Sequence, residues 1–236
     1  MGPNLLAELV REPRRAAILL DVDGVLAPIV EEPGAAAVPE ETRAELRRLA
    51  GRYALVACIS GRAAADAARV LGDAGIRVVG EHGLELDPAA AEWAERLHAF
   101  ADGVDWPVER KARTVSLHYR GAGDEGAARA LLERVAERAR SEGFVARFGR
   151  KVLELRPPVA ANKGTAVRHL LAEQGLRRAL YAGDDTTDLD AFAALDGLEL
   201  AVRVAVADPE GPPELSERAD IVVEGTEALL VILRSL

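Results

Sequence analysis

The stretch ILLDVDGVLAPI, residues 18–29, decides how the rest of the chain is read. The apolar run Ile18-Leu19-Leu20 stops at two carboxylates two positions apart, Asp21 and Asp23, with Gly24 immediately after. A bare carboxylate beside a core is costly unless a charge or hydrogen-bond donor compensates it. Two of them at the end of a buried strand therefore predict partners supplied by distant parts of the chain.

Working outward, Ala16–Leu20 is apolar without alternation, as in a parallel sheet covered on both faces. A helix is expected over Pro39–Ala50, a strand over Ala54–Ile59, a helix over Ala63–Leu71 and a short strand over Ile76–Val79. This βαβαβ rhythm implies a parallel sheet with right-handed crossovers. The texture then changes. Ala89–Phe100 is helical in pattern, and Thr114–Tyr119 alternates like a half-buried antiparallel strand. Asp124 is placed to cap a helix running to Arg140, and residues 144–157 form a hairpin turning near Gly149. After Pro157-Pro158 the first rhythm returns: helix Lys163–Gln174, strand Ala179–Ala182, helix Thr187–Ala194, then strands in 198–206 and 221–223 and a last helix, Glu227–Leu233. The fold class expected is α/β: a Rossmann-like parallel-sheet core of residues 1–85 and 158–236, interrupted by an inserted α+β cap of residues 86–157.

The 236 residues are 49% hydrophobic and 29% charged, as in a globular protein with a real core. A net charge of −9 argues against a general nucleic-acid binder. Cys58 is the single cysteine, so no internal disulfide can form. Arg14-Arg15 precede an apolar stretch, but Asp21 cuts it short of a signal-peptide core, and no run approaches a membrane span. The expectation is a soluble, cytoplasmic enzyme that acts on a small molecule and works as a monomer, without membrane or nucleic-acid partners. Only three of the 30 basic residues are lysines: Lys111, Lys151 and Lys163. Where arginine is so favoured, a surviving lysine points to a place that a guanidinium does not suit.

In an open parallel sheet, ligands bind beyond the carboxyl ends of the strands. Asp21/Asp23, Ser60-Gly61-Arg62 and Gly183-Asp184-Asp185-Thr186-Thr187-Asp188 all fall there, and the helix bearing Lys163 starts at the same edge. Several carboxylates with few other ligands suit a hard cation such as Mg²⁺. One carboxylate can attack phosphorus and a second can move a proton, while a lysine, a hydroxyl and a helix N-terminus hold phosphoryl oxygens.

The order Asp-x-Asp-Gly, Ser-Gly-Arg, Asn-Lys-Gly and Gly-Asp-Asp-Thr-Thr-Asp resembles the haloacid-dehalogenase superfamily of phosphotransferases. The resemblance implies Asp21 as nucleophile, Asp23 as general acid/base, and Ser60 and Lys163 as phosphoryl ligands. It implies Mg²⁺ held by Asp21, the backbone carbonyl of Asp23 and Asp184, with Asp185 and Asp188 in support. The stretches LLDVDGVLAPIVEEP, GEHGLEL, ERKARTVSLHYR, VLELRP and GDDTTDLDAF are similar to those of the trehalose-6-phosphate phosphatase family, with Val25 where threonine is more usual. That likeness implies substrate contacts by Arg62 and sugar contacts by Glu109, Lys111, Arg120 and Glu154 of the cap. The function expected is Mg²⁺-dependent hydrolysis of trehalose 6-phosphate through a phosphoaspartyl intermediate, in trehalose biosynthesis. The rivals are another sugar-phosphate phosphatase, such as one for mannosyl-3-phosphoglycerate or sucrose phosphate, and a catalytically silent sugar-phosphate-binding domain. A silent domain would more plausibly have lost Asp21 or Asp23.

Other features receive bland readings. Gly121–Gly126 matches G-x-G-x-x-G, but Asp124 and Glu125 would face a pyrophosphate, so no dinucleotide site is expected. Cys58 is read as core packing. His98 and His169 are read as helix-surface residues without a role, His82 as either structural or placed at the core–cap junction, and His118 as reaching either a ligand or solvent.

Overall fold

The structure is a computed structural model that describes residues 5–30, 33–149, 151–208 and 211–236. These divide into two compact units, Met1–Leu86 with Ala161–Leu236, and Asp87–Ala160.

In chain order the first unit opens with α1 (Leu5–Arg11), β1 (Ala17–Leu20), α2 (Glu40–Arg52), β2 (Leu55–Ile59), α3 (Ala64–Leu71) and β3 (Arg77–Val79). The second unit contains α4 (Pro88–Asp102), β4 (Glu109–Arg110), β5 (Val115–His118), α5 (Glu125–Ser141), β6 (Val145–Gly149) and β7 (Val152–Arg156). The first unit resumes with α6 (Lys163–Glu173), β8 (Arg178–Gly183), α7 (Asp188–Ala194), β9 (Leu200–Ala207), α8 (Pro213–Arg218), β10 (Ile221–Glu224) and α9 (Gly225–Ser235).

Among the described residues, the first unit's sheet has six parallel strands in the order β10-β9-β8-β1-β2-β3. The α/β class with a parallel-sheet core is thus observed. Both faces are covered, which is why β1 is apolar throughout. Ile18 and Leu20 pack with Leu46, Leu49, Leu229 and Leu233 on one side. Ala17 and Leu19 pack with Val167, Leu170 and Phe192 on the other. The chain runs from β1 outward through β2 and β3, then returns to build β8, β9 and β10 on β1's opposite edge. The order therefore reverses between β1 and β8, and the crevice at such a switch point is where α/β sheets bind ligands. Asp21 follows β1 and Asp184 follows β8.

The second unit has an antiparallel sheet in the order β4-β5-β7-β6. Val115, Leu117, Leu153 and Leu155 alternate onto one face and pack with Leu97, Phe100, Leu132 and Ala136 of α4 and α5. Asp124 caps α5 by accepting the Ala127 N–H at 2.9 Å. Arg150, at the hairpin turn between β6 and β7, lies outside the described residues.

Three elements have no counterpart in the sequence reading: α1, β4 and α8. Each is short, and helices of six or seven residues are marginal without tertiary packing. Leu9 in α1 and Leu215 in α8 are buried, so packing holds both elements. β4 has two residues, too few to show an alternating pattern.

Candidate active site

After β1 the chain folds back on itself. Val22 O accepts the N–H groups of Leu26 and Ala27, and Gly24 N–H donates to Ala27 O at 2.8 Å. Val22 and Val25 turn into the apolar core. That burial accounts for a valine at position 25 with no part in the site's polar contacts.

Asp21 is buried. Its Oδ1 accepts the Val22 N–H at 2.6 Å and its Oδ2 accepts Lys163 Nζ at 2.5 Å. Lys163 is the first residue of α6, whose start is fixed by a reciprocal cap: Thr165 N–H donates to Asn162 Oδ1, and Asn162 N–H donates to Thr165 Oγ1. A cation at a helix N-terminus opposes the helix dipole. Asp21 and Asp188 compensate it, the latter accepting Nζ at 2.7 Å. Burial works against the ammonium, yet these two carboxylates outweigh it and raise its pKa.

Asp188 is fully buried at the start of α7. Its Oδ1 takes Lys163 Nζ and the Tyr181 hydroxyl, at 2.7 Å each, and its Oδ2 takes the N–H groups of Asp184 and Asp185, at 3.0 Å each. Four donors use up the acceptor sites of a carboxylate. Asp188 therefore shapes the loop after β8 and anchors Lys163. The fit depends on Gly183, where a Cβ would come within 2.3 Å of Asp188 Cγ. Tyr181 is a contributor that the sequence reading missed; the signal was a phenol inside an otherwise apolar strand.

Asp21, Asp184 and Asp188 bring ligand oxygens within 4.8 Å of one another. Burial, with repulsion by Asp188 and against the pull of Lys163, lifts Asp21 to about 7. Burial, then Asp21 and Asp188, lifts Asp184 to about 8. With Asp188 saturated, Asp21 and Asp184 are two adjacent carboxylates short of positive charge, a donor set that fits a hard cation. Gly24 permits the approach, since it has φ +73° and a Cβ there would lie 2.0 Å from Asp184 Oδ2.

Asp23 is held differently. Arg62 grips both of its oxygens, Nε to Oδ2 and Nη2 to Oδ1, at 2.7 Å each, while Nη1 reaches Asp66 Oδ2 at 2.9 Å. The structure thus places Arg62, expected at the substrate, on Asp23 and Asp66. The Asp23 bond raises the guanidinium's pKa. Ser60 is buried after β2, and its Oγ accepts the Arg62 N–H at 3.1 Å. Asp185 is exposed and accepts the N–H and hydroxyl of Thr186. The carboxylates that hold Lys163 Nζ are those of Asp21 and Asp188, and Asp185 lies at the cavity wall beside them. A cavity of about 410 Å³ is lined by Asp21, Asp23, Lys163, Asp184 and Asp185, and also by Ile29 and His82. Ile29 went unremarked in the sequence, and His82 stands over Gly61, where a Cβ would meet its ring at 2.7 Å.

In the second unit, Glu109 pairs in register with Ser116 and Ser116 with Glu154, so both carboxylates belong to one row across three strands. Lys111 follows directly, its N–H bonded to Thr114 O at 3.0 Å. Arg120 is exposed in the turn beyond β5. His118 Nε2 meets Glu109 Oε2 at 2.7 Å. His98 departs from its surface reading: it is half-buried, and its Nε2 meets Lys111 O at 3.0 Å. His169 is exposed on α6. Cys58 is buried in β2, and burial pushes its thiol up. Gly121–Gly126 precedes α5, where Asp124 occupies the cap, so the G-x-G-x-x-G match there is a capping turn. No helix among the described residues is long and apolar enough to cross a membrane.

The trehalose-phosphatase family model matches residues 19–107 and 105–214. An uncharacterized glycosyl hydrolase of Mycobacterium tuberculosis is 36% identical over 219 residues, covering 80% of this chain but 16% of that protein. The chain likewise spans about half the length of the mycobacterial trehalose-phosphate phosphatases it matches. A probable trehalose-phosphate phosphatase of Sinorhizobium fredii is 33% identical over 256 residues, covering 100% of this chain and 93% of that protein. The trehalose-6-phosphate phosphatase of Aspergillus fumigatus has a similar structure, with a TM-score of 0.65 at 26% identity over 99% of this chain and 96% of that one. The family match takes in both acidic loops, Lys163 and the whole second unit, and the chain belongs to the trehalose-phosphatase family.

Proposed function

We propose that the chain is a Mg²⁺-dependent phosphatase that hydrolyses trehalose 6-phosphate to trehalose and phosphate. The observation that carries this reading is the buried sequence of bonds Tyr181–Asp188–Lys163–Asp21 at the switch point of the sheet. It aims one carboxylate and one ammonium into the same cavity.

An oxygen of Asp21 attacks phosphorus, and the bond from phosphorus to the sugar oxygen breaks. The leaving oxygen keeps the electron pair and takes a proton from Asp23. Water then attacks the phosphoaspartate, giving its proton to Asp23, and the bond between phosphorus and Asp21 breaks to release phosphate. Arg62 donates one N–H to each oxygen of Asp23, which leaves each oxygen a second lone pair for the proton transfers. Lys163 and Ser60 hold the phosphoryl oxygens. Asp21, Asp184 and the backbone carbonyl of Asp23 would hold the Mg²⁺ ion, which when bound offsets negative charge on the phosphoryl group. Asp188 and Asp185 support this arrangement. Glu109, Lys111, Arg120 and Glu154 of the second unit read the sugar hydroxyls, which donate and accept at once, and that unit serves as a cap. The substrate is a small molecule, and the protein works in the cytoplasm as a monomer.

Phosphate release from a panel of sugar phosphates, with Mg²⁺ and with chelator, tests the reading. Trehalose 6-phosphate should give the highest kcat/KM, and only with the cation. Preference for another sugar phosphate would reassign the substrate, and no release from any would leave a binding domain.

A further inference from the structure

The segment Glu109–Lys111 is a poor candidate for rigidity on backbone grounds. β4 is a two-residue edge strand. Yet it is tied down from both sides. Arg110 reaches back to α4, with Nη2 on Asp102 Oδ1 at 2.7 Å and Nη1 on His98 O at 3.0 Å. The His98 ring meets Lys111 O at 3.0 Å. A carbonyl only accepts, so His98 Nε2 carries the proton. On the other side, His118 stands two residues beyond Ser116, the register partner of Glu109, and its ring crosses the diagonal to Glu109 Oε2 at 2.7 Å. The carboxylate accepts, so this Nε2 also donates. The backbone under His118 is itself fixed, because Trp106 Nε1 donates to His118 O at 2.9 Å.

We infer that His98 and His118 are positioning residues: His98 holds the main chain at Lys111 and His118 orients the Glu109 carboxylate, presetting the segment to meet sugar hydroxyls. This rests on the proposed reading of the second unit as the sugar-recognising part. A carboxylate on an exposed edge strand samples many rotamers. Tying one oxygen leaves the other aimed, and lowers the ordering that a substrate would otherwise impose.

The test compares the parent with His118→Ala, His118→Gln, Glu109→Ala and the double variant His118→Ala/Glu109→Ala. Trehalose 6-phosphate and p-nitrophenyl phosphate are the two substrates. His118→Ala should lower kcat/KM for trehalose 6-phosphate roughly ten-fold, mainly through KM, the scale of one hydrogen bond to a charged group. Hydrolysis of p-nitrophenyl phosphate, which has no sugar, should be unchanged. His118→Gln, which keeps a donor, should recover most of the loss, and the double variant should be no worse than Glu109→Ala alone. A His118→Ala protein equal to the parent on trehalose 6-phosphate, losses that multiply in the double variant, or equal losses on both substrates would overturn the inference. His98→Ala against His98→Gln tests the other anchor in the same way, and equal losses on both substrates would assign His98 to folding alone. If the parent itself does not hydrolyse trehalose 6-phosphate, the substrate reading fails, a result seen before any variant is made.

Discussion

Asp21 and Glu109 are both carboxylates attached to short strands, and the two units hold them under opposite conditions. The Asp21 side chain is 9% exposed and sits against an ammonium that is 1% exposed. The Glu109 side chain is 52% exposed and leans on a histidine of similar exposure. In the first unit, burial makes the charges of Asp21, Lys163 and Asp188 depend on one another, so this trio of charges is all-or-none. In the second, water screens each charge, so a contact can be lost singly with a graded effect. The proposed function assigns bond-making at phosphorus to the first regime, where fixed charges serve it, and sugar binding and release to the second.

The largest expected effect is at the buried end. Asp21→Asn keeps the shape and the Val22 bond but removes the proposed nucleophile, so steady-state turnover should vanish while circular dichroism still reports a folded chain. Near-normal activity in that variant would remove Asp21 from the mechanism and with it the contrast between the units.

Next is Lys163. Lys163→Met leaves Asp21 and Asp188 facing each other without a cation, and breaking a buried pair costs about 3–5 kcal/mol. A fall in melting temperature of roughly 10 °C follows for a chain of this size. Lys163→Arg retains the charge and should melt closer to the parent, yet lose most of its activity because the planar fork cannot place one nitrogen between two carboxylates. An Arg variant as active as the parent would show that the cluster needs charge alone.

Glu154→Ala should be gentler. A loss of roughly ten- to hundred-fold in kcat/KM for trehalose 6-phosphate is expected, the scale of one or two hydrogen bonds to a charged group. Little change is expected for p-nitrophenyl phosphate or in melting temperature. A large melting shift would mean that this residue belongs to the all-or-none regime after all.

The smallest effect belongs to Tyr181→Phe, which keeps the ring packed edge-on against Phe192 and removes one of four donors to Asp188. About 1 kcal/mol of stability should be lost, as for a single net hydrogen bond. Activity should fall a few-fold as Lys163 loosens. Unchanged kinetics would show that the remaining three donors suffice to hold Asp188.

The unbroken apolar run at 18–20, ending at Asp21 and Asp23, placed a buried strand and two carboxylates at its end. The repeated strand–helix rhythm placed two more polar clusters and the start of the Lys163 helix at the same edge. Those conclusions needed only local pattern, because a strand's burial and a loop's polarity are written in adjacent residues. The capped start of α5 was legible for the same reason, since Asp124 acts on an N–H group three residues away. What no local pattern could supply was which charges meet. Lys163 is 142 positions from Asp21 yet bonded to it at 2.5 Å. Arg62 turned to Asp23 and Asp66, and Asp188 rather than Asp185 took the lysine. His98, read as without a role, and His118, read as facing a ligand or solvent, both touch the Glu109–Lys111 segment through a short edge strand that has no sequence signature. The strand order decided these pairings: the return of the chain to β1's free edge brought β8 and α6 beside Asp21, and electrostatics in a buried crevice then left each carboxylate few partners to choose from.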